Sequence, residues 1–209
     1  MLGGVKIPLI MNFTTMFAPV TTLSSDVIRQ GRCGCSYLCI TVTEMTDRQK
    51  RAVIKFPNEL EVEITRDFDA PINLVFDCFT KPEHLSKTFA PFGEEVTVCS
   101  IDLRVGGDYH IVMVTNDGVE CSFRGTYLEV EPPTRTVETW RFEGWSDVEA
   151  VESIELRATK TGTELTWKLV FRDQYGRDHM RNFNGVESNF DNVEDYLRSL
   201  LDKEGTDSG

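Results

Sequence analysis

Six consecutive segments between Glu94 and Phe171 alternate apolar and polar residues, and short turns join nearly all of them. A period of two sends successive side chains to opposite faces of a strand. Val96, Val98 and Cys99-Ser100-Ile101 open the run, and Asp108–Val114, Val119–Val130, Arg135–Glu143, Val151–Thr159 and Thr163–Phe171 continue it. Gly106-Gly107, Thr115-Asn116-Asp117-Gly118, Glu131-Pro132-Pro133-Thr134 and Lys160-Thr161-Gly162 supply turn chemistry between them, and residues 144–150 form a loop. The glycine pair is read as a tight turn or bulge, because no helix follows it as a phosphate loop would require. Connections this short join antiparallel neighbours, so the run predicts a meander with one apolar and one solvated face. In the last segment Leu165, Trp167, Leu169 and Phe171 share a face, while Glu164 and Lys168 take the other.

An apolar sheet face has to be covered. After a loop over residues 172–178 the period returns to 3.6, and Val186, Phe190, Val193, Leu197 and Leu200 mark one stripe of a long helix ending near Leu201. Upstream, a strand ends at Phe68 and Asp69-Ala70-Pro71 opens a helix. Proline in a first helical turn gives up no hydrogen bond, and Asp67 or Asp69 is placed to accept from the free N–H groups there. Ile72, Val75, Phe76 and Phe79 form its buried face; Thr80-Lys81-Pro82 ends it, and Pro82 opens a second short helix carrying His84 and Leu85. The order strand, two helices, six strands, long helix predicts an α+β fold. A curved antiparallel sheet of about seven strands wraps on the long C-terminal helix, and the short helices close one end. The apolar space under such a helix is a usual place for a small-molecule site.

The chain of 209 residues suits one domain at 51–202, an N-terminal extension at 1–50 outside the fold, and a polar tail at 203–209. Pro8, Asn12 and Pro19 interrupt the apolar part of the extension, against an export signal. The extension is read as disordered, or as sequence upstream of a start at Met45. Its Cys33, Cys35 and Cys39 lack the second ligand pair that a zinc site uses, so no metal and no cofactor are expected. The six cysteines are read as reduced thiols. The net charge of −12 lacks the basic footprint that nucleic acid or an anionic membrane surface needs. No apolar run reaches the ~18–20 residues of a membrane helix. A cytoplasmic monomer or homodimer is the expectation.

Four stretches carry a family likeness across Glu61 to Leu201. They are Phe68-Asp69-Ala70-Pro71 with Val75-Phe76, Asp102-Leu103-Arg104-Val105-Gly106-Gly107, Gly125-Thr126-Tyr127 ahead of Glu131-Pro132-Pro133, and Thr163-Glu164-Leu165-Thr166. Together they resemble the helix-grip fold of the START-like superfamily, also called SRPBCC or Bet v-type. Within it, the chain is similar to the activator of heat-shock-protein-90 ATPase homologue-like family. The resemblance implies a domain that binds a small apolar or aromatic ligand without chemistry of its own. It leaves open a polyketide cyclase or dehydratase-like enzyme, and a chaperone-associated module of the stress response. Where the family commonly has tryptophan near the end of the second helix, this chain has Thr88-Phe89, and Gly185-Val186 replaces Gly-Trp at the last helix. Both changes imply a wider, more polar cavity mouth.

Projected inward, the alternation lines a cavity, or fills a core, with Tyr109, Ile111, Met113, Cys121, Phe123, Tyr127, Trp140, Phe142, Leu156, Leu165 and Trp167. Phe183, Val186 and Phe190 join them from the helix. Buried hydroxyl and indole groups need partners, which puts Tyr109, Tyr127, Trp140 and Trp167 first among ligand contacts. Met113, Phe123, Phe142, Phe183 and Phe190 complete the apolar set, with Thr88 and His84 at the mouth. His110 is expected to face outward. No serine or cysteine sits beside a base, so no catalytic residue is assigned. Glu120 and Glu138 could serve as general bases in a dry pocket, but alternation does not show that, and they are read as surface acids.

Overall fold

The computed structural model describes residues 52–144, 148–181 and 185–206. The N-terminal extension with its cysteines, and Phe183, lie outside the described residues. Eight strands form one sheet: β1 (Val53–Lys55), β2 (Glu61–Phe68), β3 (Glu95–Ile101), β4 (Asp108–Val114), β5 (Glu120–Glu131), β6 (Arg135–Phe142), β7 (Glu149–Ala158) and β8 (Thr163–Phe171). Their spatial order is β1-β2-β8-β7-β6-β5-β4-β3, antiparallel throughout. The meander is therefore closed on one side by β2, which pairs with β8 from Glu61↔Val170 to Phe68↔Thr163. The helices are α1 (Ile72–Thr80), α2 (Pro82–Thr88), α3 (Gln174–Arg181) and α4 (Gly185–Thr206). This is the expected helix-grip arrangement, a curved sheet against a long C-terminal helix.

The turns show why their residues were chosen. Gly106 and Gly118 take φ of 78°, the left-handed region that glycine enters without steric cost. Gly107 needs glycine for another reason: a Cβ there would lie 2.0 Å from the Asp102 carbonyl oxygen. Gly118 N–H donates to the Thr115 carbonyl at 2.8 Å, closing the β4–β5 hairpin.

Four details depart from expectation. Pro71 is itself the residue capping α1, its carbonyl accepting from Leu74 and Val75. Strand β1 was not foreseen; all three of its residues are exposed, so no alternation betrays it. Helix α3 occupies the expected loop at 172–178. Its buried side is Gly176, Arg177 and Met180, with Arg177 donating to the Glu59 carbonyl at 3.1 Å, so it carries no apolar stripe. Helix α4 runs on to Thr206, past the apolar stripe, through Asp, Lys and Glu residues of which Lys and Glu favour helix.

Val186, Phe190, Val193 and Leu197 of α4 are buried in one cluster with Val62, Ile64 and Phe68 of β2 and Leu165, Leu169 and Phe171 of β8. A second cluster joins Leu85 of α2 to Tyr109, Ile111 and Tyr127. Arg66 lies on the same inward face of β2 as Ile64 and Phe68. It reaches α4 through Glu187 at 2.8 Å and Asp191 at 3.0 Å.

Candidate ligand site

The concave face of β4–β8 brings most of the expected residues together. The Tyr109 and Tyr127 rings lie 5.8 Å apart, both buried, and the Tyr109 hydroxyl donates to the Thr139 carbonyl at 3.2 Å. The Tyr109 ring fits there because Gly125 lies beneath it; a Cβ at Gly125 would come within 2.7 Å of Tyr109 Cε1. Phe123 is the hub of the aromatics, with Phe142 stacked at 5.0 Å, Phe89 edge-on at 5.2 Å and Trp140 at 6.1 Å. Trp167 and Phe190 form a separate group, 6.1 Å apart, with Phe68 behind Phe190 at 5.9 Å. Met113 is buried on β4. Phe123, Phe142 and Trp167 face inward yet stay partly exposed, so solvent reaches this side of the sheet.

The two residues of α2 sit apart from that group. His84 Nδ1 shares a 3.0 Å hydrogen bond with the Tyr196 hydroxyl of α4, which Lys87 also approaches at 3.3 Å. Thr88 is 1% exposed and turns its hydroxyl back onto the His84 and Leu85 carbonyls, both at 3.4 Å. Little room surrounds it. Thr88→Trp is therefore expected to overpack the end of α2 and cost about 1–3 kcal/mol, read as a lower urea midpoint. His110 Nε2 bonds Ser122 Oγ at 3.0 Å and is partly buried, on the face opposite Tyr109. A hollow of about 720 Å³ lies on that outer face, among Asp108, Arg124, Thr126, Arg141 and Arg172.

Glu138 corrects the surface reading of the sequence. It is 6% exposed, on the inward side of β6 between Thr136 and Trp140, and Glu152 of β7, 9% exposed, stands directly opposite. Glu120, by contrast, is exposed. Directly opposed residues of an antiparallel pair have Cβ atoms ~4.5–5.5 Å apart, so two acids here confront each other inside the fold. Trp167 Nε1 donates to Glu152 Oε1. Glu138 Oε2 is buried, and among the described residues the only hydroxyl that bears on the carboxyl is that of Thr136 on the same strand.

Burial, and then repulsion from Glu152, push the Glu138 carboxyl well above its ordinary value, with the nearby Thr136 hydroxyl opposing. Burial pushes Glu152 up to about 7, against the pull of the Trp167 N–H. Burial, followed by the two glutamates, raises the Tyr109 and Tyr127 phenols too, so both stay neutral. The site can share a proton between two acids beside aromatic rings. The signal was present in the sequence. Glu138 has the parity of Trp140 and Phe142, and Glu152 that of Ile154 and Leu156.

Among the described residues, no group of histidine, cysteine and acidic side chains could hold a metal ion. No described helix is long and apolar enough to cross a membrane.

Solved structures share this arrangement. A protein from Rhodobacter sphaeroides superposes with a TM-score of 0.67 at 20% identity, covering 71% of this chain and 99% of its own. One from Nitrosomonas europaea gives 0.61 at 27% identity, over 70% and 99%. The AHSA1-like protein from Aeromonas hydrophila gives 0.53 at 20%, over 68% and 94%. No curated protein matches the chain in sequence. Residues 69–198, which span the helices, the meander and most of α4, match the family model for the activator of Hsp90 ATPase homolog 1-like proteins, and the chain belongs to that family.

Proposed function

We propose that this domain binds a small apolar or aromatic molecule between the sheet and α4. The observation that carries this reading is the state of Phe123, Phe142 and Trp167, which point inward and remain partly exposed. A core that served packing alone would bury them, because interiors pack to the density of organic crystals. Phe89 from the end of α2 meets Phe123 edge-on, so the ligand enters beside α2 and stacks on the Phe123–Phe142 pair.

Nile red, a neutral apolar dye, tests it on the full chain. One dye per chain with saturable fluorescence is expected. Phe123→Trp, which adds bulk where the Phe123 ring meets Phe89 and Phe142, should weaken binding about tenfold. Absence of saturation, or equal binding in the variant, would count against the reading. Thermal unfolding of the variant shows whether it is folded.

A further inference from the structure

Most buried charges in the described residues are answered. Arg66 faces Glu187 and Asp191, and Arg177 meets Asp178 at 3.4 Å as well as the Glu59 carbonyl. Glu138 and Glu152 face each other instead, and among the described residues no lysine, arginine or histidine bears on either carboxyl. The titratable groups beside them are the neutral phenols of Tyr109 on β4 and Tyr127 on β5; Trp167 on β8 supplies one N–H. Two acidic side chains thus lie in the fold with a sealed, unpartnered oxygen and no countercharge.

We propose that the interior takes an aromatic or apolar molecule carrying a protonated amine, seated against Glu138 and Glu152. This deepens the ligand-binding reading above and rests on it. An ammonium brings the missing positive charge and up to three donors, one of which can reach Glu138 Oε2, the orphaned carboxylate oxygen. Tyr127, paired with Glu138 across β5 and β6, and Trp140, next inward on β6, offer ring faces beside it, where a cation is attracted to the π-system. A neutral hydroxyl would satisfy one oxygen and leave the acids uncompensated. A carboxylate ligand would add a third negative charge. Without a cation the pair holds a proton, so seating the ammonium must expel it.

Calorimetric titration of the full chain at pH 7 with 1-naphthylmethylamine, 1-naphthylmethanol and 1-naphthoic acid reads each part. The amine should bind at least about tenfold tighter than the alcohol, and the acid most weakly. Repeating the amine titration in phosphate and in Tris, whose ionisation enthalpies differ, should show proton release that the alcohol lacks. Glu138→Gln should bring the amine-to-alcohol affinity ratio close to one. Equal binding of amine and alcohol without proton release overturns the amine assignment and leaves the ligand reading standing. An amine preference that survives Glu138→Gln overturns the seat, placing the cation on the acidic surface. Binding of none of the three overturns both.

Discussion

Between pH 5 and pH 8 the protein should lose roughly 3 kcal/mol of folding stability that a Glu138→Gln, Glu152→Gln variant keeps. In the folded chain both carboxyls hold their protons more tightly than in the unfolded chain, Glu152 moving from the ordinary 4.5 to about 7 and Glu138 upward with it. Where a raised carboxyl is still protonated in the folded chain but already ionised in the unfolded one, only the unfolded chain gains from releasing the proton, so stability falls as pH rises. The carboxyl's contribution is full below the unfolded value and is lost as pH rises through the folded one. Each pKa unit is worth about 1.4 kcal/mol, so Glu152 alone accounts for the figure, and Glu138 extends the decline above neutrality. Glutamine keeps the shape, and its amide oxygen still accepts from Trp167 Nε1. Every other ionisable group is common to both chains, so the difference between their urea denaturation curves at each pH isolates the pair. The variant should equal or exceed the parent at pH 8 and lose its advantage near pH 5. Parallel curves over this range would show that the two acids ionise without cost and are hydrated inside the fold.

The same two residues mark the limit of what the sequence made legible. Strands β3 to β8 fall within a residue or two of the alternating segments; in β4 to β8 this is because the inward face holds the buried residues and a one-residue slip would turn it outward. The α4 stripe is equally plain, since Val186, Phe190, Val193 and Leu197 all enter the core. Elements without an apolar periodicity escaped notice: β1, wholly exposed, and α3, which buries an arginine and a glycine. At the candidate site, alternation placed the aromatics and should have placed Glu138, Glu152 and Arg66 with them. Residue type overrode parity, because acidic and basic side chains are seldom fully buried. Where a charged residue holds an inward position, position is the stronger signal, and such exceptions gather where charge has a use.

Arg66 supplies the second large effect. Its side chain is 2% exposed, while the Glu187 and Asp191 carboxylates that it joins on α4 are each 37% exposed. The pair is therefore asymmetric, with a sealed cation and two acids that touch water. Glu187→Gln with Asp191→Asn leaves a guanidinium, which does not deprotonate, buried without countercharge, and should cost about 3–5 kcal/mol. Arg66→Met should cost less, about 2 kcal/mol or under, because methionine fills similar space beside Phe68 and the acids return to solvent. Combining all three substitutions should recover most of the loss caused by the acid pair, since no buried charge then remains. Urea denaturation of the four chains completes the cycle. A triple variant as unstable as the acid double would mean that α4 is held by the carboxylates' other contacts, such as Glu187 with the Ala52 N–H at 3.0 Å, and not by Arg66.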